Sequence, residues 1–368
     1  MGQKVLGFFK QDVVLSVSLV LAVLSCFAVP PDAQYIGYIN YNTIILLFCL
    51  MLLVAGLREL NFFNAAGAIL LDRVRTQRGI VLTLVALCFV SSMFITNDVA
   101  LITFVPLGIL ILEMAGGAGK LCFAVTLMTI AANLGSMMTP IGNPQNIYLY
   151  SLSGYSLPQF LLLLMPYGLL SAVLLTVLCV LGCSAAPVRV RQQHPTVDRR
   201  RTIFYLVLFV LCLAAVAGPL PKPVLLVVVS AAVAVVNRGL FKKVDYALLL
   251  TFVCFFVFVG NMNRLENFNT LILDIIGGRE QAVAIGISQI ISNVPAAVLL
   301  SGYTDDVRAL IIGTNIGGLG TLIASMASLI SYKQITTRLP QHRGRYLLTF
   351  TLWNVVFLVA LCLLAWAL

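Results

Sequence analysis

The chain has 368 residues, of which 61% are hydrophobic and 10% charged, and its mean hydropathy is strongly positive. A soluble fold could not build its surface from that composition, which leaves a polytopic membrane protein. The net charge of +10 does not indicate a nucleic-acid partner, because the basic residues lie in short connections between apolar runs, where they report topology.

At about 20 apolar residues per crossing, the length allows roughly ten to twelve membrane-embedded helices and no sizeable soluble domain. Val13 to Val29 follows a short tail with Lys4 and Lys10; no small-residue cleavage site comes after it, so it is expected to be a retained first span ending at Pro30-Pro31-Asp32. Thr43 to Leu57 returns to Arg58-Glu59. Phe62 to Leu71 is only half a membrane long and precedes Asp72, Arg73 and Arg75, which suits an interfacial helix. Residues 79–116 are expected to form a re-entrant hairpin that turns at Thr96-Asn97-Asp98, with Glu113 pairing with Lys120. Residues 120–151 then form a helix broken over Asn133 to Asn146, and Leu157 to Cys183 crosses back.

The polar stretch 184–201, with Pro187, Pro195 and five Arg, is read as a linker between halves 1–183 and 202–368. Ile203 to Ala217, Val224 to Val236 and Tyr246 to Val259 follow as spans, and Leu265 to Ile276 is short and amphipathic. Residues 281–303 are the second hairpin, with arms too short to span. Residues 305–332 are the second broken helix, and Tyr346 to Leu368 is the last crossing. With a cytoplasmic N-terminus, all Lys and Arg fall inside except Lys222, Arg264, Arg279 and Arg308, and the C-terminus is outside.

The organising observation is an internal repeat. Ile291-Ser292-Asn293-Val294-Pro295 answers Ile95-Thr96-Asn97-Asp98, and Asn315 to Thr321 answers Asn133 to Thr139. Broken backbone at membrane depth persists only where protein or a cavity satisfies it. Broken segments in matching positions of two halves point to a secondary transporter whose site lies between inverted-topology repeats. The candidate binding residues are Thr96, Asn97, Asp98, Asn133, Ser136, Thr139, Pro140, Gly142, Asn143, Gln145 and Asn146 from the first half. The second half offers Ser292, Asn293, Asn315, Gly317, Gly318 and Thr321.

Half-helix N-termini offer positive ends to an anion, while Asn, Ser and Thr oxygens suit Na⁺, with Asn97, Asp98, Asn133 and Asn143 the expected cage. Asp98, the one carboxylate near mid-depth, is a candidate for the coupling Na⁺ or H⁺. The competing structural reading, polar side chains and glycines joining helices, fits one Asn or Gly better than a pattern written twice. The nine cysteines are scattered and His194 and His342 lie in loops, so neither a transition-metal site nor a cofactor is expected. No hydrolase, metalloprotease or nucleotide-binding motif supports an enzyme, and two closed hairpins do not suggest a channel.

The segments FITNDVALITFVP, MTPIGNPQNIYLYS, SNVPAAVLLSG and GTNIGGLGTLIASMASLIS resemble the bacterial anion-permease and citrate-transporter-like branch of the ion transporter superfamily. That superfamily also holds sodium-coupled di- and tricarboxylate carriers, arsenite/antimonite permeases and Na⁺/H⁺ antiporters. The resemblance implies an all-α homodimer in the bacterial inner membrane, with a scaffold and a transport domain that moves as an elevator. In the dicarboxylate carriers each tip reads Ser-Asn-Thr, whereas here the third positions are Asp98 and Val294. Three functions therefore stand as expectations: ion-coupled transport of a small anion such as a carboxylate, efflux of arsenite or antimonite, and Na⁺/H⁺ antiport centred on Asp98.

Overall fold

The computed structural model describes residues 13–114, 116–188, 195–218 and 220–368. The tail bearing Lys4 and Lys10, and Arg189, Arg191 and His194 of the expected linker, lie outside the described residues. Apart from one isolated bridge between Thr76 and Pro187, the regular structure is helical. In chain order the helices are α1 (Val13–Ala28), α2 (Tyr35–Tyr38), α3 (Tyr41–Glu59), α4 (Phe62–Leu71), α5 (Gln77–Ser92), α6 (Asn97–Met114), α7 (Leu121–Ser136), α8 (Pro144–Ser153) and α9 (Leu157–Gly182). They continue as α10 (Arg199–Val216), α11 (Lys222–Val236), α12 (Tyr246–Met262), α13 (Glu266–Ile276), α14 (Glu280–Ile291), α15 (Asn293–Leu300), α16 (Val307–Ile316), α17 (Met326–Arg338) and α18 (Arg343–Ala367).

Local chemistry sets these limits. Asn40, Thr76, Asp198, Asp245 and Asp306 each accept a backbone N–H at the start of α3, α5, α10, α12 and α16, which satisfies amides that have no partner inside the helix. Four helices, α3, α6, α9 and the segment Pro340–Ala367 that contains α18, are long and apolar enough to cross a membrane. On α1, α9, α10, α11 and α18, exposed residues such as Phe27, Leu169, Leu181, Val207, Val235 and Leu348 present more apolar surface than water tolerates, which is the outside of a polytopic membrane protein. The helix α12 turns by 104° into the amphipathic α13.

Packing follows one scheme in each half. The hairpin α5–α6 packs its arms together and lies against α7, and the hairpin α14–α15 does the same against α16. The second arm of each hairpin also crosses to the other half, α6 onto α17 and α15 onto α8. Glycine permits the closest of these contacts. A Cβ on Gly135 of α7 would lie 2.0 Å from the carbonyl oxygen of Phe89 and 2.6 Å from Ser92 Oγ, and one on Gly317 would lie 2.7 Å from Ser288 Cβ.

The arms of the second hairpin, 12 and 8 residues long, are both too short to span. In the first hairpin α6 has 18 residues and is long enough to cross. The expected Glu113–Lys120 pair does not form: ion pairs among the described residues join Arg201 to Asp198, Lys243 to Glu59 and Arg264 to Asp32. The physical reason is the turn at Gly116 (φ 66°) and the 3₁₀ segment Ala118–Lys120, which carry Lys120 away from the end of α6 toward α9 and α18.

Candidate functional site

Each hairpin tip is held to the break of its own half by the same two bonds. The Asn97 N–H donates to the Gly142 carbonyl at 3.3 Å, and the Asn293 N–H donates to the Ala324 carbonyl at 3.0 Å. The Thr139 hydroxyl donates to the Met93 carbonyl, four residues before Asn97. The Thr321 hydroxyl donates at 3.0 Å to the Gln289 carbonyl, four residues before Asn293. The breaks of the two halves are then joined to each other by amide side chains.

Asn133 is the centre of this network. Its Oδ1 accepts from Asn97 Nδ2 and from Ser325 Oγ, both at 3.0 Å, and its Nδ2 reaches the Gly318 carbonyl at 3.5 Å. Asn315 holds the corresponding place in the second half: Asn143 Nδ2 lies 3.5 Å from its Oδ1, and its Nδ2 donates to Asn146 Oδ1 at 2.7 Å. Asn146 Nδ2 in turn donates to the carbonyls of Met137 and Thr139, pinning the break. Broken backbone groups thus find partners in the protein, as hydrocarbon surroundings demand.

Between the tips lies a cavity of about 10 Å³, lined by Asn97, Asp98, Pro144, Gln145, Asn293, Ser325 and Met326 with Leu248 and Val294. Asn97, Asn293, Pro144 and Met326 are the first residues of α6, α15, α8 and α17. Four helix N-termini therefore converge on one small space, each contributing the positive end of a helix dipole. No Lys or Arg is among the lining residues. Asp98 is the only charged one, and its Oδ1 is buried with no hydrogen-bond partner, as are Gln145 Nε2 and, at the neighbouring break, Asn143 Oδ1. Buried polar atoms without partners are uncommon, and three of the eleven found among the described residues lie at or beside this cavity. The volume is about that of one water molecule or bare ion.

The structure brings about half of the expected residues together here and gives the others local or backbone roles. Asn97, Asp98, Gln145 and Asn293 line the cavity, with Asn133, Asn143, Asn146 and Asn315 behind them. Thr139 and Thr321 secure backbone instead, and Thr321 is exposed. The Ser136 hydroxyl stays local on the Asn133 carbonyl. The Thr96 carbonyl takes the first helical bond of α6, while Pro140 and Gly142 shape the first break and Gly317 and Gly318 the second. A Cβ on Gly318 would lie 2.9 Å from Asn293 Nδ2. Ser292 adopts φ 77°, ψ 154°, backbone territory used essentially by glycine.

Two site residues are absent from the motif reading. Ser325 caps α17 through the Ala327 N–H and reaches Asn133. The Gln289 side chain bridges the Thr321 N–H to the Gly317 carbonyl. Ser325 was findable, since it stands as far beyond Asn315 as Asn143 stands beyond Asn133.

Paired hairpins, broken helices and a mid-molecule polar cavity inside an apolar helical shell define a membrane transporter. The chain belongs to the citrate transporter family, whose profile matches residues 8–307. Escherichia coli inner membrane protein YbiR is 33% identical over 86% of this chain and 85% of its own. The uncharacterized transporter MJ0456 of Methanocaldococcus jannaschii is 30% identical over 94% of both chains. A Dictyostelium discoideum protein carrying the transporter name arsB is 32% identical over 39% of this chain and 25% of its own. The family and these relatives place the chain among membrane transporters rather than enzymes.

Proposed function

We propose that the protein is an ion-coupled secondary transporter of a small anion, a carboxylate, working by alternating access as a homodimer in a bacterial inner membrane. The observation that supports this most is the convergence of four helix N-termini and one carboxylate on a cavity lined by no Lys or Arg. Helix ends bind anions without a basic side chain. An ionised Asp98 and an incoming anion compete for the same positive ends, so the anion enters only with Asp98 neutralised by H⁺ or Na⁺. Each ligand then raises the affinity for the other, which is the thermodynamic content of coupling.

In this reading the halves are inverted repeats, both hairpins are re-entrant, and the N-terminus is cytoplasmic and the C-terminus outside. The recurrence of the tip-to-break bonds supports the repeat. The cavity is too small for any carboxylate, so loading parts the tips. The hairpins and broken helices then move as a transport domain against the remaining helices, in the manner of an elevator. Na⁺ would sit at Asp98, with Asn97, Asn133 and Asn143 around it.

A second reading, efflux of arsenite or antimonite, is favoured by the want of basic residues in the cavity lining, which suits a neutral hydroxide. Na⁺/H⁺ antiport at Asp98 is the third. Thermal unfolding of the purified protein with citrate, succinate, malate, sulfate and arsenite, each with and without Na⁺ and at two pH values, separates them, because a ligand that binds the folded state raises the melting temperature. A carboxylate shift that requires Na⁺ or low pH is expected. A shift with arsenite alone, or with Na⁺ or pH alone, replaces the carboxylate reading with the second or the third.

A further inference from the structure

Away from the site, the start of α7, the end of α9 and the start of α18 enclose a groove of about 510 Å³. Lys120 and Arg345 stand at its mouth, and Phe123, Leu178, Leu181 and Trp353 form its walls. Phe123 and Trp353 meet edge to face with centroids 5.8 Å apart, making one continuous apolar wall. Arg345 donates to the carbonyl of Gly119, the residue before Lys120, at 3.1 Å, which brings both cations to one rim. Neither has a carboxylate partner among the described residues.

The placement of these charges is unfavourable for the bare protein. Arg343 and Arg345 occupy the first turn of α18, and Lys120 caps α7 without a side-chain bond; neither helix has an acid in its first turn. Cations at the positive ends of two helices repel both dipoles, and an anion between them adds an attraction to each cation and to each helix end. Arg343 is already engaged by the Tyr332 hydroxyl at 2.6 Å, so Lys120 and Arg345 are the pair left facing the groove. The helices that wall it, α9 and α18, are among the least buried of the candidate spans, and Leu181, in its lining, is 79% exposed, so the groove opens on the apolar outer face of these helices.

We infer that this groove binds an anionic phospholipid, its phosphate between Lys120 and Arg345 and one acyl chain along Phe123 and Trp353. A zwitterionic lipid offers the same chain without the net charge, and free phosphate offers the charge without the chain. The site is independent of the transport reading, since none of its residues touches the cavity between the tips.

The test uses the full chain carrying Trp366→Phe, which leaves Trp353 as the single tryptophan, in mixed micelles doped with lipid brominated in its acyl chains. Brominated phosphatidylglycerol is expected to quench Trp353 at a mole fraction about twenty-fold below that for brominated phosphatidylcholine. Lys120→Gln and Arg345→Gln should each remove about five-fold of this preference, the share of one cation near an anionic headgroup. Arg238→Gln, outside the groove, should remove none. Equal quenching by the two lipids overturns the inference, as does a preference that survives the double variant. Millimolar phosphate that abolishes the preference assigns the rim to a free anion and overturns the lipid. Should the double variant unfold, the lipid contrast and the phosphate competition on the parent chain decide.

Discussion

Ser292 holds the tip of the second hairpin at φ 77°, ψ 154°, where a side chain costs roughly 1–3 kcal/mol. Its hydroxyl gains little in return, facing the Ala324 carbonyl at 3.4 Å. Ser292→Gly is therefore expected to raise unfolding stability by about 1 kcal/mol after the entropy of glycine is deducted, as measured by thermal unfolding; a lower melting temperature would show that the hydroxyl outweighs the strain. Asp98→Asn keeps the shape of the side chain and removes its charge. In flux assays on reconstituted vesicles it should abolish the dependence of anion transport on Na⁺ or pH while the protein still folds, and unaltered coupling would remove Asp98 from that role. Asn97→Ala and Asn293→Ala each take one tip residue from the shared cavity, and each should weaken binding of the same ligand about ten-fold or more, the loss of one buried hydrogen bond. A ligand weakened by only one of the two variants argues against a shared site.

The elements of the hairpins meet where glycine leaves room. Gly135→Ala drives a methyl group to 2.0 Å from a backbone oxygen that cannot swing away, so it should cost several kcal/mol and lower the yield of folded protein. Gly317→Ala meets the Ser288 side chain at 2.7 Å, and the double variant with Ser288→Gly should recover part of the loss. At this scale much was legible beforehand. Phe62–Leu71 begins and ends where its apolar run does, because Asn61 and Asp72 bound it, and the repeat places the first turn at Thr96-Asn97-Asp98 with Asn293 as its counterpart. That the second arm of each hairpin begins at the Asn itself is seen only in the structure. The place of Ser325 was not legible from likeness, since Ser325-Met326-Ala327 shares no residue with Asn143-Pro144-Gln145 and corresponds only in position. The fate of Lys120 was set by two glycines and a 3₁₀ turn, so its distance in sequence from Glu113 said little about its partner.

Over the whole molecule, charge outside the apolar core ties distant segments together. Asp32, after α1, meets Arg264, after α12, at 2.7 Å, and that guanidinium holds the Asp32 carboxyl below its usual 3.8. A depressed carboxyl stabilises the fold above its unfolded value and loses that contribution as the pH falls through the folded one. Asp32→Asn should therefore lower the melting temperature slightly near pH 6, and the difference from the parent should shrink to nothing as the pH is taken well below 3.8. Both side chains are more than a third exposed, so added salt should shrink it too. The four helix N-termini around the central cavity behave in the opposite way. Their positive potential is made of peptide groups, which neither titrate nor vanish when a side chain is exchanged. Any pH profile of transport then belongs to titrating side chains or to the cargo itself, and repeating the profile with a cargo that does not ionise in the working range tells the two apart.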